Sequence, residues 1–244
     1  MVVEERTGYR NWFFVAAAAA GFVSVAGGIF DIYIGTAIGG LGEIPEDAVG
    51  RFAQFARNPW LGLYCLDLLN CVTTFLLLFP TLAICLIHRT KFPAFSVCTL
   101  VAASIGTALF VGGNSALAML ALSRTYETAD EVRRLLLAAA GEALIARGEH
   151  GGPAVFPAFM LCSASSLLAA VLQLKGRTFG RACAVWGIVG NVLLMVYLVL
   201  VSFVPGLKNF AIAIAAPGGI AALVWTVLTS VALVRFSARV EDAV

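Results

Sequence analysis

The chain has 244 residues, 61% of them apolar and 12% charged, with a formal net charge of +2 at neutral pH. Soluble domains carry roughly 25% charged residues, so most of this surface must face lipid, which excludes a cytosolic enzyme, a disordered chain and a secreted disulfide scaffold. So small a net charge leaves no electrostatic footprint for nucleic acid, and a mean hydropathy of +0.95 leaves little soluble mass for a catalytic domain.

A membrane helix needs about 20 mainly apolar residues. Six stretches qualify: Asn11–Ile38, Trp60–Ile87, Pro93–Leu122, Pro153–Leu174, Arg181–Val204 and Phe210–Val234. The expected fold is all-α: one polytopic bundle over 1–244, with six transmembrane helices and two short amphipathic outer helices. The first apolar run is too long for a signal peptide and is expected to be a retained span. It carries Gly21, Ser24, Gly28, Asp31 and Gly35 on one face. In the connector 47–57, Val49, Phe52, Ala53 and Ala56 are read as one helical face, with Arg51, Gln54 and Arg57 turned away. That helix is expected to lie flat on the lipid interface, stopped by Pro59.

The second span presents Asp67, Asn70, Cys71, Thr74 and Thr81 and reaches His88; the third presents Ser104, Thr107, Asn114 and Ala118. The connector 128–147 opens with Thr128-Ala129-Asp130-Glu131, read as a capping box. It continues with Val132, Leu135, Leu136, Ala139 and Ala143 at helical spacing and ends at Gly148, long enough to lie across the outer mouth of the bundle. A solvated connector with one apolar side is the alternative for both outer segments. The last three spans show Cys162, Ser165, Ser166 and Ala169, then Gly187, Gly190 and Asn191, then Gly219, Thr226 and Ser230. Small and polar stripes are how helices pack in lipid.

Orientation follows Lys and Arg in the short loops. Arg89 and Lys91, and Lys175, Arg177 and Arg181, stand in short loops without acids, whereas Arg51, Arg124, Arg133 and Arg147 are mixed with Glu43, Glu46, Glu127, Glu142 and Glu149. Both termini are expected to be cytoplasmic.

Two carboxylates exceed what packing needs. A charge mid-membrane costs about 2.5–3.5 kcal/mol on insertion scales, so Asp31 and Asp67 should face the interior or water. In this topology Asp31, Asp67, Asn70 and Asn114 fall in the outer halves of three sequential spans. They are expected to line one outward-facing polar pocket, with Arg51, Arg57 or Arg124 as counter-charge. The alternative is that the acids are protonated or paired and only set helix register.

Other chemistry finds no support. His88 and His150 fall on opposite sides and cannot share a metal or haem, and both are read as loop-end histidines. The six cysteines form no CxxC pair and are read as small buried apolar residues. No lysine stands mid-span for a Schiff base, and neither GxxxxGK[ST] nor Gly-x-Ser-x-Gly occurs. No catalytic residue, metal or cofactor is therefore assigned. Gly28-Ile29-Phe30-Asp31 and Tyr64-Cys65-Leu66-Asp67 bear a weak likeness to the paired motifs of intramembrane aspartyl proteases, a remote alternative.

Leu61-Gly62-Leu63-Tyr64 followed by Asp67-Leu68-Leu69-Asn70, then Asn114 to Ser123 with Tyr126, Gly141-Glu142-Ala143-Leu144, Phe179-Gly180-Arg181 and Trp186-Gly187-Ile188 form a recognisable series. In these motifs the chain resembles the bacterial six-helix membrane proteins grouped as domain of unknown function 4386, over nearly its whole length. The resemblance implies the architecture and a bacterial inner membrane, and adds no chemistry. The expected role is an accessory or interaction subunit packing with other membrane components, with membrane lipid, other subunits or a second copy as partners and no nucleic acid. The alternative is a binder or transporter of a small solute, ion or lipid working through the polar pocket.

Overall fold

The computed structural model describes residues 2–37, 44–148, 152, 154–204 and 206–241, with side chains for 12–34, 44–148, 152, 154–204, 206–207 and 209–239. Ile38, Glu43, Glu149, His150, Pro153 and Pro205 lie outside the described residues. The chain runs α1 (Val2–Ala37), α2 (Ala48–Arg57), α3 (Pro59–Tyr64), α4 (Leu68–His88), α5 (Pro93–Gly113), α6 (Ala116–Thr128), α7 (Glu131–Gly148), α8 (Val155–Gly176), α9 (Arg181–Phe203) and α10 (Lys208–Glu241), with no strand among the described residues. Among the described residues six helical segments are long and apolar enough to cross a membrane: Trp12–Ile34, Leu68–His88, Pro93–Thr128, Val155–Gly176, Arg181–Phe203 and Asn209–Arg239. The protein is a membrane-embedded, all-α, multi-pass bundle.

The long helices α1, α4, α5, α8, α9 and α10 each pack on the next in chain order, and α10 packs back on α1, so they close a ring. Small residues allow the approach: Gly21 of α1 meets Ser230 of α10, and Gly190 of α9 lies against the α10 backbone at Ala221 and Ala222. The remaining helices, α2, α3, α6 and α7, pack on one another and form a cap at one end. Local chemistry sets their starts. Asp47 accepts the Gly50 N–H to begin α2, and Asn58 Oδ1 accepts the Leu61 N–H at 3.2 Å ahead of Pro59 to begin α3, both standard N-caps.

Several expectations need correction. The stretch Trp60–Ile87 is not one helix: it breaks at Cys65–Asp67, where Asp67 takes φ 60° and ψ 25°, a left-handed conformation that Asp tolerates because its short side chain bonds locally. Pro93–Leu122 breaks as well. The α5 helix ends at Gly113, and the Asn114 side chain takes the Ala116 N–H at 3.0 Å, offering the backbone a partner outside the helical ladder. On α2 the inward face is Ala48, Arg51, Phe52, Gln54 and Phe55, whereas Val49, Ala53 and Ala56 face out. Phe52 and Phe55 with Ala48 make a stripe at i, i+4 and i+7 that packs on Met119, and this carries Arg51 and Gln54 inward too.

Likewise α7 is capped by Asp130, whose Oδ1 accepts the Arg133 N–H at 2.8 Å, and not by Thr128. Its buried contact is Gly141, flanked by Leu144 and Ile145, and the expected apolar stripe Val132, Leu135, Leu136, Ala139 and Ala143 is exposed. Ser104 and Ala118 are exposed rather than packed, and Gly218, not Gly219, meets α9. His88 does end α4 at the loop, but it is a buried pin rather than a solvated residue: its Nδ1 donates to Ile84 O at 2.7 Å and its Nε2 meets Thr178 Oγ1 at 3.0 Å. All six cysteines are free; Cys71, Cys85 and Cys183 are buried, but Cys98 is exposed.

Candidate functional site

Two helix breaks meet at the junction of bundle and cap. Asn114 stitches them: its Nδ2 donates to Leu66 O at 2.6 Å in one break, while its Oδ1 accepts from Ala116 N in the other. In the first break Asn70 Nδ2 donates to Asp67 Oδ1 at 3.1 Å, one turn into α4. Helix ends leave carbonyls unpaired, and those freed where α5 stops find side-chain partners. Cys71 Sγ donates to Phe110 O at 3.9 Å and Arg147 Nη2 donates to Gly112 O at 3.2 Å. The fourth sequence-predicted residue, Asp31, joins through the cap, because Tyr64 Oη donates to its backbone carbonyl at 3.1 Å. All four, Asp31, Asp67, Asn70 and Asn114, are half-buried. Asp67, Asn70 and Asn114 are thus brought together by hydrogen bonds, with Asp31 reached from α1.

Of the three candidate counter-charges, Arg57 and Arg124 are exposed and only Arg51 turns inward. Arg51 is 9% exposed, and its Nε and Nη1 have no hydrogen-bond partner. Burial lowers its pKa, and the negative charge of ionised Cys65 and of the Asp67 carboxylate would act against that fall. Leaving a buried donor unpaired costs about 1–3 kcal/mol, more when it is charged. Beside it Gln54, 7% exposed, gives its Nε2 to Cys65 Sγ at 3.6 Å and leaves Oε1 unpartnered. Burial raises the Tyr64 pKa, helped by its hydrogen bond to Asp31 and the negative field there; this phenol is a donor at neutral pH.

Sequence reasoning named the carboxylate and amide set, and it missed Gln54, Tyr64 and the inward turn of Arg51. A usable signal was present: Ala48, Phe52 and Phe55 mark the more apolar arc of α2, and Arg51 and Gln54 are interleaved with it.

A second polar cluster lies deeper between α8, α9 and α10. Gln173 Oε1 accepts from Trp225 Nε1 at 2.7 Å, and Gln173 Nε2 donates to Thr229 Oγ1 at 3.0 Å. Its amide has partners on both sides, as a structural network requires. The adjacent cavity, lined by Thr81, Ser166, Trp225 and Thr229 among others, is about 20 Å³, room for about one water and no solute. Among the described residues no group of three His, Cys, Asp or Glu side chains gathers to hold a metal ion.

Compared with known proteins, the chain matches no family model, no curated protein and no solved structure.

Proposed function

We propose that the protein binds a small polar ligand at the junction of bundle and cap, in a site built from Asp31, Asp67, Asn70, Asn114 and Arg51. One observation carries this reading: a buried guanidinium with free donors stands beside two interrupted helices whose breaks share one hydrogen-bonded level. Interrupted helices at one level, with polar side chains converging on them, are the construction by which membrane helices hold solutes. The acid-free short loops at the other end support a cap outside and both termini in the cytoplasm, the resemblance supports a bacterial inner membrane, and on this reading the site opens outward. Binder and transporter share this site, and alternating access is not needed for the reading.

The test is native mass spectrometry of the protein extracted gently from its own membranes. The expected spectrum carries a reproducible small adduct that is absent from Asp67→Asn, a variant expected to insert normally. A wild-type spectrum without any adduct removes the reading.

A second reading rests on a different observation. Val132, Leu135 and Leu136 stand about 70% exposed on α7, with Leu135 at 73%, and an apolar stripe on a cap helix suits an accessory subunit covered by another membrane protein, a second copy or lipid. Extra mass from a second polypeptide in the same spectrum supports it.

A further inference from the structure

Arg51 and Gln54 stand three residues apart on the buried face of α2, each with orphaned polar atoms. More than nine in ten buried polar groups in folded proteins find a partner. Here one orphan supplies positive charge and N–H donors, and the other a bare carbonyl oxygen. The Asp67 carboxylate is within electrostatic reach of Arg51, but its Oδ1 accepts from Asn70, and Arg51 Nε and Nη1 are left over. The set therefore calls for a group that accepts from a guanidinium and carries a donor next to it.

We propose that Arg51 and Gln54 bind the oxyanion of a carboxylate or phosphate whose neighbouring O–H or N–H donates to Gln54, borne by a small solute or by a lipid headgroup. The inference rests on the ligand site proposed above and names the chemistry of its occupant. Guanidinium suits such oxyanions because its planar N–H array matches their geometry. Both helix breaks lie close by, so an anion seated on α2 would also tie the cap to α4 and α5.

The experiment follows thermal unfolding of the full chain in nanodiscs. Phosphatidylcholine discs receive sodium phosphate, glycine or, as a cationic control, ethanolamine; a separate arm compares phosphatidylglycerol with phosphatidylcholine discs. The expected result is a rise in Tm of several degrees with phosphate or glycine if the source is a free solute, or with phosphatidylglycerol alone if it is a headgroup. Ethanolamine is expected to give none. Arg51→Met should abolish the response while leaving the ligand-free Tm unchanged or higher, because it removes an unpaired buried charge. Gln54→Glu, which supplies an internal carboxylate to Arg51 without deleting it, should also abolish the response, and it keeps the test open if Arg51→Met fails to fold.

An Arg51→Met protein that responds like wild type overturns the proposal. So does an Arg51→Met protein with a lowered ligand-free Tm that Asp67→Asn restores, since Arg51 would then be a structural partner of Asp67. Stabilisation by ethanolamine and not by the anions, lost in Asp67→Asn, overturns the oxyanion and keeps the site. Silence of the wild type toward every probe overturns the oxyanion, and the adduct spectrum of Asp67→Asn then decides separately whether the site survives.

Discussion

Gln173 is completely buried, and its amide ties three helices: Oε1 takes Trp225 Nε1 and the Cys183 thiol, and Nε2 reaches Thr229. Gln173→Leu keeps much of the volume but strands the Trp225 N–H, so a loss of about 1–3 kcal/mol is expected. Trp225→Phe in that background removes the stranded donor and should recover part of it. Unfolding midpoints of the four combinations measure the coupling, and additive losses would show that the network is not a unit. Residues of this kind were hard to read in advance. Gln173 stands near the end of its span, where an amide ordinarily faces headgroups, and only contact with α9 and α10 reveals its role. Arg51 was hard for the same reason: a charge on an amphipathic helix is solvated by default, and its burial is decided by α3 and α6, which pack on α2.

The cap depends on how α7 crosses α2. Gly141 lies so close that an added Cβ would sit 2.6 Å from Ala48 Cβ and 2.9 Å from Phe52 Cζ, and Glu142 Oε1 accepts the Ala48 N–H at 2.7 Å. Gly141→Leu cannot be accommodated without moving α7, at an expected cost of about 1–3 kcal/mol. The bundle shares little surface with the cap, so the damage should stay local. Maleimide labelling resolved by mass spectrometry should show Cys65 reacting several-fold faster while Cys183 stays protected; equal acceleration at both would mean that cap and bundle unfold together. The spans were legible because length and hydropathy dominate them. The break at 65–67 was not, because Cys65-Leu66-Asp67 contains neither Gly nor Pro; the break at Asn114-Ser115 was marked by Gly112-Gly113, but the same signal at Gly27-Gly28 and Gly218-Gly219 falls inside unbroken helices. The polar residues at those breaks were legible as expensive, which is why the candidate site was outlined before its geometry was known.

At the scale of the molecule the ring is closed by its two ends. Gly21 seats on Ser230, Gly28 approaches Leu223 Cδ2 within reach of a methyl group, and Phe14 stacks edge-on against Phe236 at 5.2 Å between ring centres. A chain stopped after residue 204 should therefore leave the α1 face open to lipid and be degraded, whereas supplying 206–241 as a separate polypeptide should restore a complex that an affinity tag on α1 retrieves. Recovery of a stable truncated chain by itself would show that closure is dispensable. This ring also sets a calendar for synthesis. Because α1 leaves the ribosome before α10, it gains that neighbour only once α4, α5, α8 and α9 have been made, so the newborn bundle must wait as an open crescent, its polar seam in need of shelter by the insertion machinery until α10 arrives.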